Sequence, residues 1–326
     1  MYIPSSFFGS QESCISASAA TISGTGNFTR GTFVSQSISW SYIQFETTDY
    51  TSTAYPSYTA SFNMLSGSTG RAKLLIVAGG GTGGRPQQYF TPQGSDISYQ
   101  SGYSGGGGGG GVIYYDNFPL SSGSYEIGVG GASPAPNSAS GSQGFNSYIK
   151  LPNNITYTPF NTSYLIAEGG GAGGTYGLYQ QLSPRRDFYY SLGPGNGGSA
   201  GGAGSNIAGD AQGGAGSPNS NGGLNGQVQG YRGGLASGVD ATTGGGGAGG
   251  TGVDGNKTNG GPGVTYNVNG TPTIYSKGGG GASLSAGLTY GGGGSAGTYV
   301  PFTTFNYGTP GYGGIVIIAW PICLYP

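Results

Sequence analysis

Between Gly31 and Glu46 the sequence GTFVSQSISWSYIQFE alternates, placing Ile38, Trp40 and Tyr42 on one side of an extended chain with serines between them. A period of two predicts a β-strand. SYTASFNML (Ser57–Leu65) is a second candidate, and Gly67 and Gly70 punctuate the end of this β-rich N-terminal module near residue 71. Beyond it, apolar runs repeatedly abut glycine. LLIVAGGGTGG (Leu74–Gly84) recurs as YLIAEGGGAGG (Tyr164–Gly174), a weak internal repeat of strand-into-glycine units. GGVIYYDNFPLSSGSYEIGVGG (Gly110–Gly131) predicts a hairpin with Tyr125, Ile127 and Val129 on its inner face, and GFNSYIKLP predicts a further strand. The continuous apolar run in GYGGIVIIAW (Gly311–Trp320) predicts a strand covered on both faces.

From Gly193 to Gly297 conventional patterning almost vanishes and a spacing of three takes over. Gly195, Gly198, Gly201 and Gly204 form one set; Gly246, Gly249, Gly252 and Gly255 form another. Polyproline-II chain has three residues per turn and no internal hydrogen bonds. In that conformation the spacing lines up a bare backbone edge, so neighbouring segments can exchange N–H and C=O bonds laterally. Glycine loses more freedom on ordering than alanine, by roughly 0.5–1 kcal/mol. A lone run would therefore stay disordered, whereas a bundle closed by apolar strands satisfies its own polar groups.

Composition sharpens this choice. With 76 glycines and 18 prolines in 326 residues, the chain has the make-up of low-complexity sequence, so the ordered bundle is the reading that needs structural proof. Only 6% of residues are charged and the formal net charge is −1. That leaves no electrostatic footprint for nucleic acid, and the single Arg232-Gly233-Gly234 is too sparse for an RNA-binding tract. Histidine is absent, which removes histidine-based triads, general bases and metal ligands. Cys14 and Cys323 make no CxxC pattern; they are either two unpaired thiols or a bridge between the ends. Neither a signal peptide nor an apolar run long enough for a bilayer is apparent. The expectation is assembly in the cytoplasm and release by lysis, without membrane insertion.

Gly79, Gly81 and Gly84 satisfy G-x-G-x-x-G after an apolar strand. A dinucleotide site needs a helix next, because the helix N-terminus holds the pyrophosphate. Pro86, Pro92 and a serine–glycine tail follow instead, so no cofactor is expected and these glycines are assigned a structural role. The carboxylates Asp96, Asp116, Asp187, Asp210, Asp240 and Asp254 are scattered, with no pair at glycosidase spacing. VDGNKTNGG (Val253–Gly261) offers one carboxylate where a calcium loop needs several, and is read as a solvated turn. No catalytic or metal site is expected.

LLIVAGGGTGG, GSYEIGVGGASPAPNSASGSQGFNSYI and the closing GYGGIVIIAW, with the glycine runs between them, resemble the glycine-rich domains of bacteriophage virion proteins, especially tail-fibre and adhesin-like proteins. The likeness covers about residues 72–320; it is similar also to the glycine-rich region of certain receptor kinases. It implies an all-β fold: a β-sandwich or jelly-roll-like set of strands fused to a bundle of polyglycine-II helices. Residues 1–71 form the preceding module, a candidate for virion docking, and 321–326 a short tail.

Three glycine-poor segments, residues 85–103, 175–192 and 298–312, hold many of the 26 tyrosines. Tyrosine among Ser, Gly and Asn is the make-up of antibody binding loops, and gives wide amphipathic contact at low entropic cost. The receptor-binding candidates are Tyr89, Phe90, Tyr99, Tyr103, Tyr176, Tyr179, Arg185, Arg186, Tyr189, Tyr190, Tyr299, Phe302, Phe305 and Tyr307. Alternatively these rings cover the edges of the glycine bundle or pack between subunits. The expected function is non-enzymatic: a virion protein presenting tyrosine-rich loops to a host surface glycan or outer-surface protein. A capsid decoration or head-fibre role is the alternative, and a surface polysaccharide hydrolase a third. Partners would be other virion proteins and copies of the chain itself, with a trimer favoured.

Overall fold

The structure, a computed structural model, describes residues 15–16, 20–24, 27–47, 58–65, 70–85, 102–134, 141–152, 163–182, 185–192, 194–205, 229–236, 241–255, 258–281, 286–300, 304–306 and 308–322. Among them there is no α-helix. The strands are β1 (Ala20–Gly24), β2 (Asn27–Ser35), β3 (Ile38–Glu46), β4 (Tyr58–Met64) and β5 (Gly70–Val77). Next come β6 (Gly102–Ser104), β7 (Val112–Leu120), β8 (Gly123–Val129), β9 (Ser147–Lys150) and β10 (Tyr164–Ala167). They are followed by β11 (Thr175–Leu182), β12 (Arg185–Leu192), β13 (Gly204–Ser205), β14 (Ala241–Thr242) and β15 (Val264–Tyr266). The last are β16 (Thr273–Tyr275), β17 (Thr298–Val300), β18 (Thr304–Asn306) and β19 (Ile315–Pro321).

Two antiparallel sheets form a sandwich, one in the order β2-β3-β19-β5-β7 and the other β1-β4-β8-β9-β10. Their shared core joins Phe45, Leu74, Ile76, Val316, Ile318 and Trp320 to Phe62, Tyr125, Ile127, Ile149 and Leu165. The strands before residue 71 contribute to both sheets and to that core. β19, the expected doubly covered strand, is buried at every position. Its second face, with Leu75 and Val77, lies under Val268 and Tyr275 beside the β15–β16 hairpin.

The hairpin expected between Gly110 and Gly131 is not formed. β7 pairs with β5 and β8 pairs with β4, in opposite sheets. The reason is that Phe118 and Leu120 of β7 and Tyr125 and Ile127 of β8 all fill the one core. Two strands that bury the same cluster from opposite sides face each other across it, and the Ser121–Ser122 corner turns the chain between layers. Gly31–Glu46, conversely, divides into a β2–β3 hairpin whose turn residues Gln36 and Ser37 both have positive φ, 52° and 64°.

Beyond the sandwich lies the glycine bundle, centred on Gly105–Gly111. Here N–H groups go to neighbours by a rule of three. Gly105, Gly108 and Gly111 donate to the carbonyls of Gly174, Gly171 and Glu168; Gly106 and Gly109 to Thr243 and Gly246; Gly107 and Gly110 to Gly294 and Gly291. The carbonyls obey the same rule. Those of Gly111, Gly108 and Gly105 accept from Ala78, Gly81 and Gly84; those of Gly109 and Gly106 from Ser199 and Gly202. The Gly107 carbonyl accepts from the Gly279 N–H and that of Gly110 from the Ser276 hydroxyl. Six segments thus surround one. Three directions of donation and three of acceptance are what a chain with three residues per turn generates.

Close approach explains the composition. A Cβ on Gly198 would fall on the Gly111 amide, and one on Gly201 on the Ala172 carbonyl. Polar side chains satisfy the groups left where bundle meets sheet. The Ser147 hydroxyl donates to the Val77 carbonyl (2.8 Å) and accepts from the Gly130 N–H (2.9 Å). The Gln229 amide caps β10, accepting from Glu168 N (2.8 Å) and donating to Ile166 O (3.0 Å).

Candidate functional site, a tyrosine-rich sheet at the end of the bundle

Direction of travel along the glycine segments decides where the candidate residues lie. Residues 78–84 run out from β5, 105–111 run back into β7, and 168–174 leave β10 to enter β11. Residues 291–297 lead into β17, and 308–314 return to β19. Seven extended residues span roughly 20–25 Å. The strands fed by the outer ends are therefore held that far from the sandwich.

Those strands make one antiparallel sheet, in the order β12-β11-β6-β17-β18. Each of the three tyrosine-rich segments contributes to it. One rung aligns Ser191, Tyr176, Tyr103, Thr298 and Asn306; the next aligns Tyr190, Gly177, Gly102, Tyr299 and Phe305. Among the described residues, β11 from Leu178 outward pairs with β12 alone, and these two strands form an arm of the sheet. Along this arm Tyr189 is opposite Leu178 and Tyr179 opposite Phe188. Arg186 and Arg185, opposite Gln181 and Leu182, are the described residues of β12 farthest from the bundle. The Ser104 hydroxyl fixes the root of β6, lying 2.7 Å from the carbonyls of both Gly84 and Gly297. Tyr89, Phe90, Tyr99, Phe302 and Tyr307 fall outside the described residues.

The glycines assigned a structural role are placed as follows. The N–H groups of Gly79, Gly81 and Gly84 donate to Phe145, Gly108 and Gly105, so the donors that a pyrophosphate would require are engaged within the bundle. Gly195, Gly198 and Gly201 donate to Ala172, Gly169 and Gly195; Gly204 pairs with Thr242 in β13–β14. Gly246, Gly249 and Gly252 donate to Ala200, Pro262 and Arg232. Gly255 differs: a Cβ there meets only Thr258, and its φ of +123° is what excludes other residues. The central run Gly105–Gly111 was not among the expected sets, although it is the longest glycine run in the sequence. The hairpin Val264–Tyr275 was likewise unanticipated; its signals are the alternating Val264, Tyr266 and Val268 and the Asn269-Gly270 turn.

A glycine-rich domain model matches residues 56–321. The chain belongs to the glycine-rich domain family. No curated protein and no solved structure matches it significantly. In this glycine-rich domain two sequence motifs prove to be one structural unit. Arg232 donates to both carboxylate oxygens of Asp254, at 2.8 and 3.0 Å, and the Leu235 N–H adds a third bond at 2.7 Å. The arginine of the Arg-Gly-Gly tract and the carboxylate of the calcium-like loop thus engage each other, clamping two outer segments of the bundle. The Arg232 hydrogen bonds hold the Asp254 carboxyl below its usual range. Cys14 and Cys323 lie outside the described residues; their neighbours Ile15 and Ile322 form a parallel bridge.

Proposed function

We propose that this glycine-rich domain is a non-enzymatic virion protein of a bacteriophage, a tail-fibre or tail-tip adhesin that presents its tyrosine-rich sheet to a host surface glycan or outer-surface protein. One observation carries the reading: three segments far apart in sequence, chosen for their tyrosines, meet in a single sheet at the far end of a bundle nearly free of side chains. A stiff spacer with an aromatic tip is the architecture a contact surface needs, since tyrosine supplies area at low entropic cost. Sandwich and bundle then serve as support, docked on other virion proteins.

Replacing Tyr189 and Tyr190 with serine should reduce host-cell adsorption at least tenfold while circular dichroism and incorporation into particles stay normal. Unchanged adsorption with normal incorporation would remove the arm from the contact surface. Labelling of intact particles locates the protein: density on the capsid shell alone would replace the adhesin with a decoration protein.

A further inference from the structure

The opposite end of the bundle holds a second feature, separate from the tip sheet. Where the end of β3 lies beside the glycine segment that leads into β19, a groove of about 720 Å³ opens, lined among others by Glu46, Thr273, Ile274, Leu288, Tyr290 and Tyr312. Its size falls within the range of small-molecule sites, about 300–1,000 Å³. We propose that it binds a neutral saccharide unit.

The Glu46 carboxylate is held in place before any ligand arrives. One oxygen, Oε2, accepts from the Tyr290 hydroxyl and from Gln44 Nε2 (3.1 Å), and Gln44 is in turn fixed by Asn269 Nδ2 at 3.1 Å. The other oxygen, Oε1, has no partner among the described residues, and no cation pairs with Glu46 there. An oriented acceptor facing a groove calls for a hydroxyl or ammonium donor and repels anions. Beside it stand apolar walls that the fold does not use: Leu288 is 69% exposed and Ile274 50%. A pyranose matches both, with hydroxyl donors on its rim and C–H groups on its face. An apolar protein surface does not, because covering Glu46 would bury an unpaired charge at several kcal/mol. A small amine would satisfy the carboxylate but leave most of the groove empty.

The test is titration of the full chain with neutral gluco-, galacto- and manno-configured trisaccharides, followed by calorimetry and saturation-transfer NMR. At least one should bind. Leu288→Ser and Glu46→Gln should each weaken it tenfold or more, with the melting temperature of Leu288→Ser unchanged, while Tyr189→Ser/Tyr190→Ser leaves this binding intact. The proposal is overturned if no trisaccharide binds, if binding survives both groove substitutions, or if tetramethylammonium displaces the sugar and binds more tightly. None of these outcomes depends on whether the tip sheet contacts a host.

Discussion

A missing side chain is the informative feature at the residue scale. Gly198→Val and Gly201→Val push a branched group into backbone atoms that have nowhere to move, so each should destabilise by about 3 kcal/mol or more, read as a lower thermal midpoint. Gly255→Ala meets only Thr258, at ordinary van der Waals distance, and should lose only about 1–3 kcal/mol through its backbone angle. Serines divide by the same logic. Ser147→Ala strands a buried acceptor and a buried donor and should cost about 1–3 kcal/mol, whereas the Ser199 hydroxyl is buried without a partner among the described residues, so Ser199→Ala should be neutral or stabilising; paired denaturation curves distinguish them. Much of this scale was legible, but spacing of three did not select one shared edge, since Gly246, Gly249 and Gly252 donate to Ala200, Pro262 and Arg232. It also grouped Gly255 with glycines packed against backbone, because composition cannot separate a glycine needed for closeness from one needed for its φ. Nor could it show that Arg232 and Asp254 satisfy each other.

Elements were legible where one face is buried and misread where the partner lies far away. The alternation at Tyr125, Ile127 and Val129 identified a strand with the correct inner face, yet its sheet was set by the far-off β4 and β9, which no local pattern encodes. The tyrosine-rich segments were recognisable from composition, whereas their union in one sheet follows from bundle geometry. Tyr312, placed with them by sequence, returns along the bundle and lines the groove at the other end. Turn chemistry offers a direct check. Gln36 and Ser37 occupy a two-residue turn that favours Asn-Gly, so Ser37→Gly should raise stability by about 0.5–1 kcal/mol, seen as a higher denaturation midpoint. The Arg232–Asp254 clamp gives a pH signature. Because the folded carboxyl titrates below its unfolded value near 4, its contribution is complete above that pH and is lost as acid passes the folded value. The gap in melting temperature between the parent chain and Asp254→Ala should therefore be widest near neutrality and close in acid, as the thermal scans are carried downward in pH.

For the whole molecule, the order of strands in the first sheet has a temporal meaning. β19 sits at its centre, between β3 and β5, yet it is the last of these strands to be synthesised. Until the ribosome has delivered Ile315–Pro321, β3 and β5 each expose an unpaired hydrogen-bonding edge and the sandwich lacks the apolar filling of Val316, Ile318 and Trp320. Nascent copies on one messenger thus carry matching open edges side by side, the circumstance in which strands pair between chains. Closure of this sheet accordingly waits for Ile315–Pro321, and a chaperone that shields those edges during elongation would raise the yield of this protein more than any change to the finished surface.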